Sequence, residues 1–95
     1  MSILWMDIRV VFGTNMRRLR LAAGISQERV GELMGVDRAH VSSMERGQQN
    51  VTLLTIHEAA EALGCRSADL LDESGPALKA PPRGVKAPRR KRTKA

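Results

Sequence analysis

Four glycines, each followed within five residues by a serine, aspartate or threonine, cut this 95-residue chain into short pieces: Gly24 and Ser26, Gly35 and Asp37, Gly47 and Thr52, Gly64 and Ser67. Glycine suits the position just past a helix end, where the backbone turns left-handed. Serine, threonine and aspartate suit the position before the next helix, where a side-chain oxygen caps a free N–H. The punctuation therefore predicts a first helix from about Asp7 or Val10 to Ala23. Then come "QERVGELM", "RAHVSSMER", "LLTIHEAAEALG" and a last turn or two over "ADLL". Apolar residues recur at helical spacing within these pieces. Phe12, Met16 and Leu19 form one stripe, Val30, Leu33 and Met34 a second, and Leu53, Ile56, Ala60 and Leu63 a third. Five short helices joined by brief loops predict an all-α domain.

The chain is long enough for one small domain. It has one Phe, one Trp and no Tyr, so aliphatic side chains must build the core. A single cysteine, Cys65, excludes an internal disulfide framework and fits a reducing, cytoplasmic setting as a small core residue. The opening "MSILWM" lacks a basic region and is too short to span a bilayer, so no membrane association is expected. Two histidines and one cysteine, widely spaced, make no metal site, and His57 reads as a surface residue. Neither a nucleophile–His–acid arrangement nor a phosphate-cradling glycine loop is visible. No cofactor and no enzymatic activity are expected.

The net charge of +6 is unevenly placed. Residues 1–73 hold eight arginines against ten acids, a balance of −2, whereas residues 74–95 hold four lysines, four arginines and no acid. All four prolines lie in that second stretch, which lacks the apolar residues to offset the entropy of ordering. It is expected to be a disordered basic tail that either serves an anionic partner or is simply solvated. The expected divisions are thus an N-terminal segment, 1–9, without an assigned role, a domain over 10–73 and the tail over 74–95. Trp5, with Ile3 and Leu4, suits either packing on the bundle or a contact between two copies.

The middle of the chain is the most informative. A helix of about eight residues, a three-residue turn beginning at Gly35 and a second helix of about eight make a helix-turn-helix. Gly31 lets the second helix cross closely, Val36 plugs the angle, and Val41 and Met44 root that helix from behind. Arg38, Ala39, His40, Ser42 and Ser43 are left without apolar duty. A short helix rooted by its back, with its first turn outward, suits a DNA major groove. Arg38 is a cation at a helix N-terminus, against the dipole, a local conflict of the kind that functional positions show.

"ISQERVGELMGVDRAHVSSMERG", followed by "NVTLLTIHEAAEALG" and "SADLL", resembles the Cro/CI (XRE) family of helix-turn-helix DNA-binding domains over roughly residues 10–72 without gaps. "DRAHVSSMERGQQNVT" is also similar to the corresponding run of restriction–modification controller proteins. The resemblance implies a five-helix, lambda-repressor-like DNA-binding domain. It gives base reading to Arg38, Ala39 and Ser43 with His40 nearby, and phosphate binding to Gln27, Gln49, Asn50 and Thr52. Arg46, with Arg17 and Arg18, is a further phosphate candidate. Arg20 and Glu45 match a structural ion pair between the first and third helices. Gly31 stands where the family usually has alanine, a departure expected to keep close packing at about 1 kcal/mol of helix propensity.

The expected function is sequence-specific binding of a double-stranded DNA operator through a recognition helix at about 38–45, as an autoregulating repressor or controller on the nucleoid. One such helix reads too few base pairs for a specific site, so a homodimer on a palindrome is expected. The resemblance implies that its contacts lie around Leu63 to Leu71, with Trp5 a further candidate. Two alternatives belong to other classes: an antitoxin that also binds a toxin protein, and an interaction module that does not read DNA.

Overall fold

The computed structural model of the chain describes residues 7–74. These form four α-helices, α1 (Ile8–Ala23), α2 (Gln27–Met34), α3 (Arg38–Glu45) and α4 (Leu53–Leu63), followed by a single 3-10 turn, Ser67–Leu71. Trp5 and almost all of the expected tail lie outside the described residues.

The helices start and stop where local chemistry directs. Asp7, Ser26, Asp37 and Thr52 each accept a backbone N–H from the first turn of the helix that follows. Gly24, Gly35 and Gly64 close α1, α2 and α4 in the left-handed region. The last element departs from expectation. Ser67 lies inside it rather than capping it, and the Asp69 carboxylate accepts the Arg66 N–H at 2.9 Å. The Asp69 N–H bonds the Arg66 carbonyl three residues back, the 3-10 pattern, so the described residues form four α-helices and not five.

The core gathers Phe12 and Met16 from α1, Val30 from α2, Val41 and Met44 from α3, Ile56, Ala59, Ala60 and Leu63 from α4, and Leu70 from the 3-10 turn. Each large side chain buried there contributes roughly 1.5–3 kcal/mol. Leu19, Met34, Val36 and Cys65 pack against this cluster while partly exposed. Two expected core positions are corrected. Leu33 is 48% exposed because α2 buries the side carrying Val30, Gly31 and Met34, and Leu33 lies roughly 100° around the helix from it. Leu53 is 84% exposed because it sits in the first turn of α4, ahead of the buried stripe that begins at Ile56.

Two close approaches set the angle at which α3 is carried. A Cβ on Gly13 would collide with the carbonyl oxygens of Met44 and Glu45, so α1 and α3 meet nearly backbone to backbone. A Cβ on Gly31 would lie 2.6 Å from the Val36 carbonyl oxygen, which fixes how tightly the turn folds back on α2. These contacts hold α3 across the bundle with one side in the core and the other in solvent.

Candidate nucleic-acid interface

α3 divides cleanly by face. Val41 and Met44 are 0% and 1% exposed, whereas Arg38, Ala39 and His40 in the first turn are open to solvent. Asp37 caps that turn by accepting the His40 N–H at 2.9 Å. Its carboxylate also places a negative charge beside Arg38, which offsets the cation at the positive helix end.

Arg38 is held from a neighbouring helix. Its Nη1 donates to Gln27 Oε1 at 3.1 Å, and Gln27 Nε2 donates to Glu45 Oε1 at 3.0 Å. Glu45 accepts Arg20 Nε at 2.6 Å and Arg20 Nη2 at 3.2 Å, a two-pronged pair whose side chains are 2% and 10% exposed. Arg20 Nη1 also donates to the Ile25 carbonyl at 3.0 Å. Removing one member of such a buried pair strands a charge, which costs several kcal/mol. Arg20 and Glu45 therefore tie α1, the loop after it and α3 into one frame.

The other expected residues fall into smaller groups. Ser43 is half-buried and accepts Gln49 Nε2 at 2.9 Å. The Arg46 guanidinium lies along the outside of α3, donating to Ser42 Oγ one turn back and to Gln48 Oε1 at 3.1 Å. Asn50 is exposed beyond the end of α3. Thr52 is exposed too, but its hydroxyl caps α4 by accepting the Thr55 N–H at 3.1 Å. Arg17 is exposed, and Arg18 leans on Asn15 Oδ1 at 3.1 Å.

Sequence reasoning missed Ser42 and Gln48 as supports for Arg46; the four-residue spacing to Ser42 is a signal it could have used, whereas Gln48 lies past the helix end, where helical spacing says nothing. It gave Gln27 to phosphate and did not see that Gln27 joins Arg38 to Glu45, partners 11 and 18 residues away. Away from this face, burial and the nearby Asp69 carboxylate push the Cys65 thiol up, which disfavours a reactive thiolate. His57 lies on the surface, 3.3 Å from Glu61. Among the described residues no group of three or more His, Cys, Asp or Glu could hold a metal, and no helix is long and apolar enough to cross a membrane.

A family profile for helix-turn-helix domains, HTH_3, matches residues 16–70, a span that contains the whole network around α2 and α3. The chain belongs to the HTH_3 family. This HTH_3 chain is 41% identical over 66 residues to the uncharacterized HTH-type transcriptional regulator y4dJ of Sinorhizobium fredii, covering 70% of this chain and 86% of that protein. It is 39% identical over 67 residues to control protein C.BamHI of Bacillus amyloliquefaciens, covering 70% and 83%. Among solved structures it is similar to the restriction-modification controller protein C.AhdI of Aeromonas hydrophila. There the TM-score is 0.62 and the identity 45%, over 65% of this chain and 90% of that one. Membership places it among DNA-binding transcriptional regulators rather than enzymes.

Proposed function

We propose that this HTH_3 domain reads a palindromic duplex operator as a two-fold dimer, α3 entering the major groove of each half-site, and that it acts as an autoregulating repressor or controller. The observation that carries the reading is the first turn of α3, which is solvent-exposed while the rest of the helix is rooted in the core by Val41 and Met44. Arg38 is the principal base reader, since a guanidinium can hold guanine O6 and N7 together. Ala39 offers a methyl to thymine, Ser43 and His40 extend the reading, and Gln27, Arg46, Gln49, Asn50 and Thr52 grip the backbone on either side. Its likeness to C.BamHI and C.AhdI supports a controller role.

The half-sites lie about one helical turn, roughly 34 Å, apart. Of the stretch expected to join the two copies, Leu63 and Leu70 belong to the monomer's own core, which leaves Cys65 and Leu71 at its partly exposed edge. At the other end of α4, Leu53 and Leu54 are the most exposed large apolar side chains among the described residues, 84% and 64%, and the dimer contact is proposed to draw on both groups.

Selection of bound duplexes from a random library tests the reading. The wild-type chain recovers a two-fold symmetric site. Arg38→Ala loses that preference by about fivefold to 150-fold, since a good bidentate contact carries about 1–3 kcal/mol of discrimination. It keeps weak, salt-sensitive binding. Recovery of the same site by Arg38→Ala would show that Arg38 is not the principal base reader.

A further inference from the structure

We infer that Glu45 is a positioning residue for base reading: its carboxylate fixes which way round the Gln27 amide stands, and Gln27 so oriented holds Arg38. The inference rests on the proposal that Arg38 reads DNA, and it adds a second task to a residue whose pairing with Arg20 explains only its burial.

A glutamine side chain has a donor end and an acceptor end of nearly the same shape, so shape alone does not select between its two orientations. Here the neighbours do. Glu45, paired with Arg20, offers acceptors toward Gln27 Nε2 at 3.0 Å. Arg38, which has donors only, faces Gln27 Oε1 at 3.1 Å. Turning the amide over would set oxygen against oxygen at Glu45 and N–H against N–H at Arg38. Both contacts reject the flipped form together. The polarity of the amide is therefore set by a buried charge pair on one side and read out by an exposed arginine on the other.

The arrangement leaves a definite remainder. Nε2 carries two hydrogens, and the bond to Glu45 uses one. The second is free for a backbone phosphate at the N-terminus of α2, where a helix end already favours an anion. Gln27 thus links the register of the backbone contact to the placement of the base-reading guanidinium. Arg38 is presented partly ordered rather than swinging freely on its long side chain, which lowers the entropy lost when it meets a base.

The test is a double-mutant cycle on the full chain with Glu45→Gln, Gln27→Ala and the pair. Its readout is affinity for the selected duplex relative to a scrambled duplex, well below the melting temperature of each variant. In Glu45→Gln the neighbouring amide offers donor and acceptor alike, so only exposed Arg38 still opposes the flipped form and the lock is weakened. Each single variant is expected to lose about tenfold in the ratio, and the double variant no more than either alone, the signature of residues acting in series. A purely structural Glu45 would lower the melting temperature and leave the ratio unchanged. That result overturns the inference, as would losses that multiply in the double variant. Should Glu45→Gln not fold, side-chain amide exchange in the wild-type chain decides. One Gln27 Nε2 proton should exchange at least tenfold more slowly than in a free glutamine, and a free rate refutes the lock. A wild-type chain with no duplex preference overturns the DNA reading instead, and amide exchange then judges the lock by itself.

Discussion

Asn15 shows at the scale of one residue what a linear sequence hides. It is 1% exposed in the middle of α1, where asparagine is a poor helix former. Its Nδ2 donates to the carbonyls of Leu70 at 3.1 Å and Asp72 at 2.8 Å, and its Oδ1 accepts from Arg18. Those carbonyls lie at the end of the 3-10 turn, where no further helical N–H reaches back to them. Asn15 supplies the missing donors and pins the end of the domain to α1. Asn15→Leu fills a similar volume but strands the buried Leu70 carbonyl, at about 1–3 kcal/mol, while the carbonyl of exposed Asp72 can turn to water. A lowered urea midpoint with unchanged slope is the expected result, and an unchanged midpoint would mean that water replaces the amide. Asn15 was not legible in the sequence because its partners are 55 and 57 residues away. Gly13 was not legible either, since its need for a missing Cβ appears only once α3 crosses it.

At the scale of the element, caps and glycine stops were legible because each involves residues only a few positions apart. Asp7 gives a pH-dependent case. Its carboxylate accepts Arg9 N–H at 2.8 Å and the Arg9 guanidinium at 2.8 and 3.0 Å, and the arginine holds its pKa down at about 2, from 3.8. Because the folded value is the lower, the cap's contribution is present above the ordinary carboxylate range and is lost as pH falls through about 2. Asp7 side-chain carbon shifts should therefore titrate near pH 2, with the first turn of α1 fraying in the same window. Titration near 4 would mean that the pair with Arg9 does not persist in solution. Gly31 illustrates the opposite case, in which a local rule gives the wrong sign. Helix propensity alone makes Gly31→Ala stabilising by about 1 kcal/mol. A Cβ 2.6 Å from the Val36 carbonyl requires the turn itself to shift, and overpacking of that kind costs about 1–3 kcal/mol. The expected outcome is a net loss of stability in thermal melts. A gain of the full propensity value would mean that the turn relaxes without strain. Leu33 and Leu53 failed for a related reason, since helical spacing gives a face but not which part of it a neighbour covers.

At the scale of the molecule, the helix-turn-helix frame and the exposed face of α3 could be read from sequence because they follow from period and punctuation. Of the inward wiring from Arg38 to Arg20, the Arg20–Glu45 pair was legible through the family resemblance, whereas the link through Gln27 was not, because its partners are 11 and 18 residues away. Charge is the remaining large-scale feature, and here sequence alone speaks. The folded domain has no excess of positive charge, while residues 75–95, outside those described, carry all four lysines and four of the twelve arginines with no acid. A reading helix on a weakly acidic globule gains little attraction to duplex at a distance. If the basic run touches phosphate, it supplies that attraction without regard to sequence, and each phosphate neutralised adds roughly −0.9 to the slope of log affinity against log salt. Removing residues 75–95 keeps Ser74, whose N–H bonds Asp72 Oδ1 at 2.9 Å, so the end of the domain stays tied. The shortened chain should bind every duplex more weakly, with a slope shallower by up to about 7, and should still select the same site. An unchanged slope would mean that the run does not contact DNA. A changed site would mean that it reads bases as well, and that α3 shares that task.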